Sequence, residues 1–125
     1  MPDGCLPASP TVTRPLEVAD LFCGGGGTAE GCRQALEHLG RRMNLVAVNH
    51  WDVAITSHQA NHPGARHYCA SVEAVRPAEA VPGGHLDLLL ASPSCTHHSR
   101  ARGGRPRSDQ SRAAAWTVIQ WLTDL

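Results

Sequence analysis

The chain has 125 residues, of which 42% are hydrophobic, and its 11 Arg and Lys residues balance 11 Asp and Glu residues to a formal charge of zero. This length supports one hydrophobic core and excludes an organisation in several domains. No apolar run approaches the roughly 18 to 20 residues of a membrane span, so no membrane partner is expected. The five cysteines form no CxxC pair, and we therefore expect a protein of the reducing cytoplasm.

The first strand and helix are predicted between residues 16 and 40. Residues 1–15 hold four of the nine prolines and show no apolar periodicity, which indicates a flexible leader before a single unit at 16–125. Residues 16–22 are a short apolar stretch before four glycines, typical of a buried strand that enters a tight turn. The apolar spacing that follows predicts a helix that Thr28 caps and Gly40 ends.

The rest of the chain continues this alternation of strands and helices. A strand is predicted at 44–49, and a helix from Asp52 to a stop within 61–64. A weak strand is expected at 66–69 or at 71–75, a loop at 77–84, and the clearest strand at 86–91. After an Arg- and Gly-rich loop at 96–108, Asp109 is predicted to cap a last helix. The apolar face predicted for that helix consists of Ala115, Val118, Ile119 and Leu122.

Strands that alternate with helices predict an α/β fold, in which helices cover both faces of a parallel sheet and ligands bind at the carboxyl ends of the strands. The glycine turn at 24–27 follows the first strand. Without side chains there, backbone amides and the helix amino end can approach a polar or anionic ligand. We expect Asp20 to order this turn through hydrogen bonds. The chain contains no lysine, which excludes a P-loop, whereas a purely structural turn remains an alternative.

Two further candidates follow later strands. Trp51 lies where an aromatic face can stack on adenine, although a core position is an equal alternative. Cys95 is a candidate nucleophile, because Arg100, Arg102 or a protonated histidine nearby would lower the pKa of its thiol. The alternatives are a buried inert cysteine and a metal site within 95–98, for which no second ligand pair at zinc spacing exists. Between residues 100 and 112, five arginines stand against one aspartate, which favours contact with a polyanion.

These segments together resemble a known family. Asp20-Leu21-Phe22-Cys23 and the four glycines resemble the first motif, D-L-F-x-G-x-G-G, of the DNA cytosine carbon-5 methyltransferases. Residues 49–52 resemble the second motif, 86–99 the catalytic Pro-Cys motif, and 109–112 the start of the next helix. The similarity covers about residues 16 to 125. It implies a Rossmann-like S-adenosylmethionine-dependent methyltransferase fold with an incomplete sheet, and a role in DNA methylation and restriction-modification.

The resemblance also implies roles for individual residues. Cys95 would add to carbon 6 of a cytosine flipped out of double-stranded DNA, which activates carbon 5 for methylation. Ser99, Arg100, Arg102 and Arg105 would contact the DNA. His50 stands where the family usually has glutamate, Ser71 where it commonly has aspartate, and one residue separates Pro93 from Cys95. The residues implied to hold S-adenosylmethionine are Asp20, Phe22, Cys23, Gly24, Gly26, Gly27, His50, Trp51, Ser71 and Pro93.

By the same resemblance, the chain corresponds to the amino-terminal part of the catalytic domain. The family's Glu-Asn-Val and Gln-x-Arg-x-Arg motifs and its target-recognition domain have no counterpart here, so we expect little turnover by these residues alone. Three origins stay open: a truncated reading frame, a partial sequence of a longer protein, or half of a split enzyme whose partner is a complementary carboxyl-terminal half. Two alternatives are a noncatalytic remnant that binds cofactor or nucleic acid weakly, and a dinucleotide-dependent enzyme of Rossmann type. No resident metal is expected.

Overall fold

The computed structural model describes residues 14–93 and 109–125. In them, four parallel strands form one sheet in the order β3-β2-β1-β4, so the predicted α/β architecture is confirmed. The strands are β1 (Leu16–Leu21), β2 (Met43–Asn49), β3 (Arg66–Cys69) and β4 (Leu88–Ala91). The helices are α1 (Gly27–His38), α2 (Asp52–Asn61), α3 (Pro77–Ala80) and α4 (Asp109–Asp124), with short 3-10 turns at Val72–Ala74 and Pro82–Gly84.

Helices cover both faces of the sheet, as predicted. Because side chains alternate along a strand, Leu21 and Val48 point to one face, where they pack against Trp121 of α4 and the apolar residues around α3. Val18 points to the other face and packs with Ala29 of α1. On that same second face, Ala47 of β2 packs with Ile55 of α2. Asp20 therefore lies on the face that α1 and α2 cover.

Some element boundaries differ from those predicted. The cap predicted at Thr28 is wrong: α1 begins at Gly27, and Gly26 occupies the cap position with φ +100°. Gly40 ends the helix as predicted, with φ +70° and its N–H bonded to the carbonyl of Glu37. The loop predicted at 77–84 contains α3, because Pro77 favours the first helical position and Ala80 is buried in the core.

The structure also fixes the bounds of β3 and β4, for which the sequence left alternatives or predicted an earlier start. Of the two alternatives, residues 66–69 form β3, whereas 72–74 form a 3-10 turn. Strand β4 begins at Leu88 and not at residue 86. The N–H of Asp87 still donates to the carbonyl of Glu17 at 2.8 Å, but the N–H of Glu17 bonds to the carboxylate of Asp87 and not to a backbone carbonyl. The same carboxylate binds the side chain of Arg14.

The apolar face predicted for α4 is wrong. Ala114, Thr117 and Trp121 face the sheet, and Trp121 is only 1% exposed. Of the predicted set, Val118 packs partly against the core, whereas Ile119 and Leu122 are exposed. Both sets have helical spacing, and the large Trp121 ring fills the core beside Val72 and Val81.

No helix in the described part of the chain has both the length and the apolar character needed to cross a membrane. The three cysteines described there, Cys23, Cys32 and Cys69, are all free thiols.

Candidate functional site

The carboxyl ends of the four strands bring most of the predicted site residues to one edge of the sheet. Hydrogen bonds join the segments that leave the strands. The N–H of Cys23 donates to the carbonyl of Val48 at 3.1 Å, and the N–H of Ala70 donates to Asn49 at 3.0 Å. The N–H of Ser92 reaches the carbonyl of Leu21 at 3.4 Å. The segments after β1, β2, β3 and β4 are therefore neighbours, as the parallel topology requires.

The glycine turn presents backbone amides at this edge. Gly24 has φ +56° and Gly26 has φ +100°, conformations that glycine adopts without the steric penalty of a Cβ atom. Within the described residues, the amides of Gly24 and Gly25 make no backbone hydrogen bond, and no side chain caps α1. The first amides of a helix have no intrahelical acceptor. The turn and the start of α1 thus offer a group of free donors to a polar or anionic ligand.

Phe22 is the one non-glycine residue in the described chain with a positive φ, at 58°. A side chain in this region costs roughly 1–2 kcal/mol of conformational energy. The Phe22 ring is half-buried and packs against the cluster that contains Leu21 and Val48. This packing holds the strained backbone at the point where β1 enters the turn.

Two side chains at the end of α2 contact backbone carbonyls of the glycine turn. The Asn61 side chain donates to the carbonyl of Gly25 at 2.8 Å, and Nε2 of His62 lies 3.1 Å from the carbonyl of Gly26. A Cβ atom at Gly26 would lie only 2.8 Å from Cδ2 of the buried His62 ring. These contacts orient the carbonyls toward α2.

Asp20 lies buried beneath the turn, at 1% exposure, and its Oδ2 atom has no hydrogen-bond partner among the described residues. The side-chain contacts to the turn carbonyls in the described structure come from Asn61 and His62. Burial raises the pKa of Asp20 to about 7. The side chain lies beneath the turn, on the face covered by α1 and α2.

Cys23 also turns its side chain away from the open edge. The thiol packs with Ala47 and Ile55, and burial raises its pKa to about 12, with a smaller contribution from the nearby Asp20. A neutral buried thiol is a poor nucleophile. The backbone of Cys23 holds the turn in place, because its N–H donates to the carbonyl of Val48 and its carbonyl accepts from the N–H of Gly26.

Trp51 lies on the surface, at the amino end of α2. It is 58% exposed, which excludes the alternative that it is a core residue. The Asn49 side chain accepts a hydrogen bond from the N–H of Trp51 at 2.9 Å and so fixes the backbone where β2 passes into α2. His50 is exposed as well. An aromatic face and an imidazole therefore stand at the carboxyl end of the strand next to β1.

The two remaining described candidates flank the same edge. Ser71 is exposed and directly precedes the 3-10 turn after β3, where its carbonyl accepts a bond from Ala74. Pro93 is half-buried just beyond β4. Cys95, Ser99, Arg100, Arg102 and Arg105 lie outside the described residues, as does the alternative metal site at 95–98. Within the described ranges, no group of three or more His, Cys, Asp or Glu side chains is arranged to hold a metal ion.

Two cavities in the described structure lie away from these residues. One of about 230 Å³ opens toward the amino ends of the strands beside Glu17, Asn44 and Arg66. The other, of about 470 Å³, lies between the end of α1 and the segment after α2. Neither is lined by the glycine turn or Trp51, because the described residues leave this edge as an open surface. The free amides and the exposed aromatic ring, and not an enclosed cavity, make it the candidate cofactor site.

Sequence reasoning missed the residues that support the turn from α2 and β3. Asn61 and His62 were predicted only as part of a helix stop, and His58 and His67 had no predicted role. A polar pair at a helix end that faces the carboxyl edge was the available signal for Asn61 and His62. The pairing of His58 with His67 depends on tertiary structure and has no local signal.

Comparison with known proteins adds independent findings. A family model for C-5 cytosine-specific DNA methylases matches residues 16–124. Type II methyltransferase M.AgeI from Thalassovita gelatinovora is 33% identical over 102 residues, which cover 78% of this chain and 22% of that protein. This chain thus spans about a fifth of the length of that curated relative.

Solved structures show the same fold. A protein from an E. coli prophage that is assigned as a DNA modification methyltransferase superposes with a TM-score of 0.66 at 24% identity, over 88% of this chain and 29% of that one. The plantazolicin methyltransferase BpumL, solved with SAH, superposes with a TM-score of 0.50 at 18% identity, over 63% of this chain and 28% of that one. The fold is therefore the one found in S-adenosylmethionine-dependent methyltransferases, as predicted.

Proposed function

Because the chain belongs to the C-5 cytosine-specific DNA methylase family, we propose that it carries the cofactor site and the nucleophile of an enzyme that transfers a methyl group from S-adenosylmethionine to carbon 5 of cytosine in DNA. The observation that supports this most is the meeting of free amides, an exposed aromatic ring and the start of the Cys95 segment at one sheet edge. Membership of this family leaves the dinucleotide-dependent enzyme without a supporting observation.

The described residues fit the cofactor. The amides of Gly24 and Gly25 and the uncapped start of α1 suit a carboxylate or a ribose hydroxyl. Trp51 has the exposed face that stacking on adenine requires, and His50 beside it can hydrogen-bond to a ribose hydroxyl. When bound, S-adenosylmethionine supplies an electrophilic methyl group on a sulfonium centre.

The chemistry proposed for Cys95 follows from the electronics of cytosine. Addition of the Cys95 thiolate to carbon 6 places carbanion character on carbon 5, which then takes the methyl group. Loss of the proton from carbon 5 and departure of the Cys95 thiolate restore the aromatic ring. The base must leave the helical stack first, because carbon 6 is not accessible within it. Arg100, Arg102 and Arg105, together with Ser99, suit contact with the DNA phosphates around the extruded base.

The position of β4 supports this assignment. The N–H of Ser92, just after β4, bonds to Leu21 at the end of β1, so the chain leaves β4 beside the proposed cofactor site. This position agrees with a nucleophile that acts on a base beside a methyl donor on the glycine turn. We propose that residues outside these 125 supply acid assistance and target recognition, so that the 125 residues turn over little alone and need a carboxyl-terminal partner segment.

Covalent trapping tests the proposal. DNA that contains 5-fluorocytosine retains the enzyme adduct, because fluorine cannot leave carbon 5 as a proton does. With S-adenosylmethionine, we expect the protein at its full natural length to form a DNA adduct that survives denaturation. Cys95→Ala should form none, whereas the matched control Cys69→Ala, which removes a free and exposed cysteine on β3, should form as much as the parent. Equal trapping by Cys95→Ala contradicts the mechanism, and DNA binding without any adduct supports the noncatalytic alternative.

A further inference from the structure

A carboxyl group and three histidines lie together beneath the glycine turn. Oδ2 of Asp20 lies 3.5 Å from Nε2 of His58, and Nδ1 of His58 lies 2.7 Å from Nε2 of His67. The His62 ring packs against His58 with ring centroids 4.8 Å apart. Asp20 is 1% exposed and His58 is 0% exposed, so the cluster connects the sheet interior to the half-buried His67 on β3.

Two atoms in this cluster lack any other partner. Oδ2 of Asp20 and Nε2 of His58 are both buried and make no hydrogen bond within the described structure. A buried polar atom without a partner destabilises a fold by about 1–3 kcal/mol. Because these two atoms face each other, a single hydrogen between them satisfies both, with an approach of a few tenths of an ångström.

We propose that Asp20 and His58 share one buried proton, and that His58 and His67 act as positioning residues for the glycine turn. The cofactor-binding part of this inference rests on the proposed function, whereas the sharing of the proton does not. With the shared proton on Asp20, Oδ2 donates it to Nε2 of His58, so the neutral His58 ring carries its own hydrogen on Nδ1 and donates it to Nε2 of His67. The hydrogen-bonded chain then runs from Asp20 through His58 to His67.

This hydrogen-bonded chain of side chains contacts the glycine turn directly. A Cβ atom at Gly26 would lie 3.1 Å from Cδ2 of His58 and 2.8 Å from Cδ2 of His62, so both rings pack against the Gly26 backbone. His62 in turn lies 3.1 Å from the Gly26 carbonyl. A rotation of the His58 ring therefore displaces the backbone that presents the free amides.

The surroundings of the pair are known from each element packed against it. Among the described residues, the titratable groups beside the pair are Cys23 from the turn, Cys32 from α1, His62 directly after α2 and His67 from β3. The strand residues that pair directly with Asp20 are the apolar Ala47 and Leu90. Burial raises the pKa of Asp20 to about 7, whereas burial, with smaller contributions from His67 and His62, lowers the pKa of His58 to about 4.

These two shifts have opposite effects on stability. A carboxyl group with a raised pKa binds its proton more tightly in the folded state, so its contribution to stability falls as the pH rises from about 4 to 7. A histidine with a lowered pKa loses its proton on folding, so its contribution rises over about pH 4 to 6.5. Because one proton serves both groups, the contributions cancel in the unmodified chain. Removal of either partner exposes the effect of the other.

The experiment measures the folding equilibrium constant of the full chain at pH 5 and pH 6. The variants are Asp20→Asn and His58→Gln, with His38→Gln at an exposed helix position as the matched control. Relative to this control, the constant for Asp20→Asn should rise up to about tenfold from pH 5 to pH 6, and that for His58→Gln should fall by up to the same factor. The same pH dependence in all three variants overturns the shared proton.

The shared proton can also be tested in the unmodified chain, without any variant that fails to fold. Nitrogen-15 NMR at pH 6 should show His58 as a neutral ring that carries its hydrogen on Nδ1 and accepts at Nε2. A charged ring, or a neutral ring with its hydrogen on Nε2, overturns the proposal.

The positioning role has its own test. Binding of S-adenosylhomocysteine, measured by calorimetry at pH 7, should weaken about fivefold to tenfold in His67→Ala and stay unchanged in His38→Gln. Unchanged affinity in His67→Ala overturns the positioning role. No binding by the parent contradicts the proposed function, and the shared proton is then judged by the pH and NMR results alone.

Discussion

Replacement of Gly26 by alanine tests whether the glycine turn has the conformation described here. Gly26 combines a φ of +100° with a position against two buried rings. Alanine there meets two separate obstacles, an unfavourable backbone conformation and an overlap of its Cβ atom with the ring of His62.

The neighbouring glycines separate these two contributions. Gly24 has φ +56°, and no atom lies within 4 Å of the position that a Cβ atom would take there, so Gly24→Ala should lose only the roughly 1–2 kcal/mol of a left-handed residue. Gly26→Ala adds an overlap worth about 1–3 kcal/mol, for a total of about 2–5 kcal/mol. Gly27 has no positive φ and open space around it, so Gly27→Ala should stabilise the chain by about 0.4–1 kcal/mol.

Urea unfolding followed by circular dichroism measures these differences. With a slope of about 2 kcal/mol per molar urea, the midpoint for Gly26→Ala should fall by at least about 1 M. The order of midpoints should be Gly27→Ala, then the parent, then Gly24→Ala, then Gly26→Ala. Equal midpoints for the alanine variants at 26 and 27 would refute the reasoning.

A double variant identifies the cause of the loss. His62→Ala removes the ring that the new Cβ atom meets, so it should cost less in the Gly26→Ala background than in the parent. The coupling energy is expected to be about 1–3 kcal/mol. Additive effects would show that the overlap with His62 does not account for the loss.

Three further predictions concern an ion pair and the three tryptophans. The hydrogen bonds and charge of Arg14 hold the pKa of Asp87 below its usual range. This carboxylate therefore stabilises the fold above about pH 4, and the stabilisation is lost as the pH falls below that value. Asp87→Asn should make the free energy of unfolding depend less on pH in this acid range, and an unchanged pH dependence contradicts this. Trp51→Ala should weaken binding of S-adenosylhomocysteine about fivefold in calorimetry, since an aromatic stack contributes about 1 kcal/mol. The melting temperature should stay nearly unchanged, because the side chain is exposed. A large loss of stability would instead show that Trp51 packs in the fold. In urea unfolding, Trp121→Ala should lower the free energy of unfolding by about 3–5 kcal/mol, because the ring is buried. Replacement of the exposed Trp116 by alanine should change it by less than about 0.5 kcal/mol. Similar losses in the two variants would contradict the assignment of the Trp121 face of α4 as the buried face.

The fold was predictable where the chain carries its own local signals. The apolar runs before the glycine turn and before Trp51 predict β1 and β2, because buried parallel strands need apolar side chains on both faces. Asp52 and the stop at 61–64 predict both ends of α2. The carboxyl edge then follows from the topology, which is why the glycine turn and Trp51 were expected at the same place.

Other features depend on contacts that no local pattern contains. The face of α4 is decided by the fit of Trp121 against Val72 and Val81, and two sets of residues on that helix have equally good helical spacing. Asp20 and His58 are far apart in sequence and meet only because α2 packs on that face of β1. Local sequence patterns therefore identify the exposed side of the turn better than the buried side that supports it.

The most direct test of the proposed function is the product of methyl transfer. The protein at its full natural length, incubated with DNA and S-adenosylmethionine labelled in the methyl group, should yield labelled 5-methyl-2′-deoxycytidine on nucleoside mass spectrometry, and Cys95→Ala should yield none. Label on another atom of the DNA, or equal label with Cys95→Ala, would contradict the account.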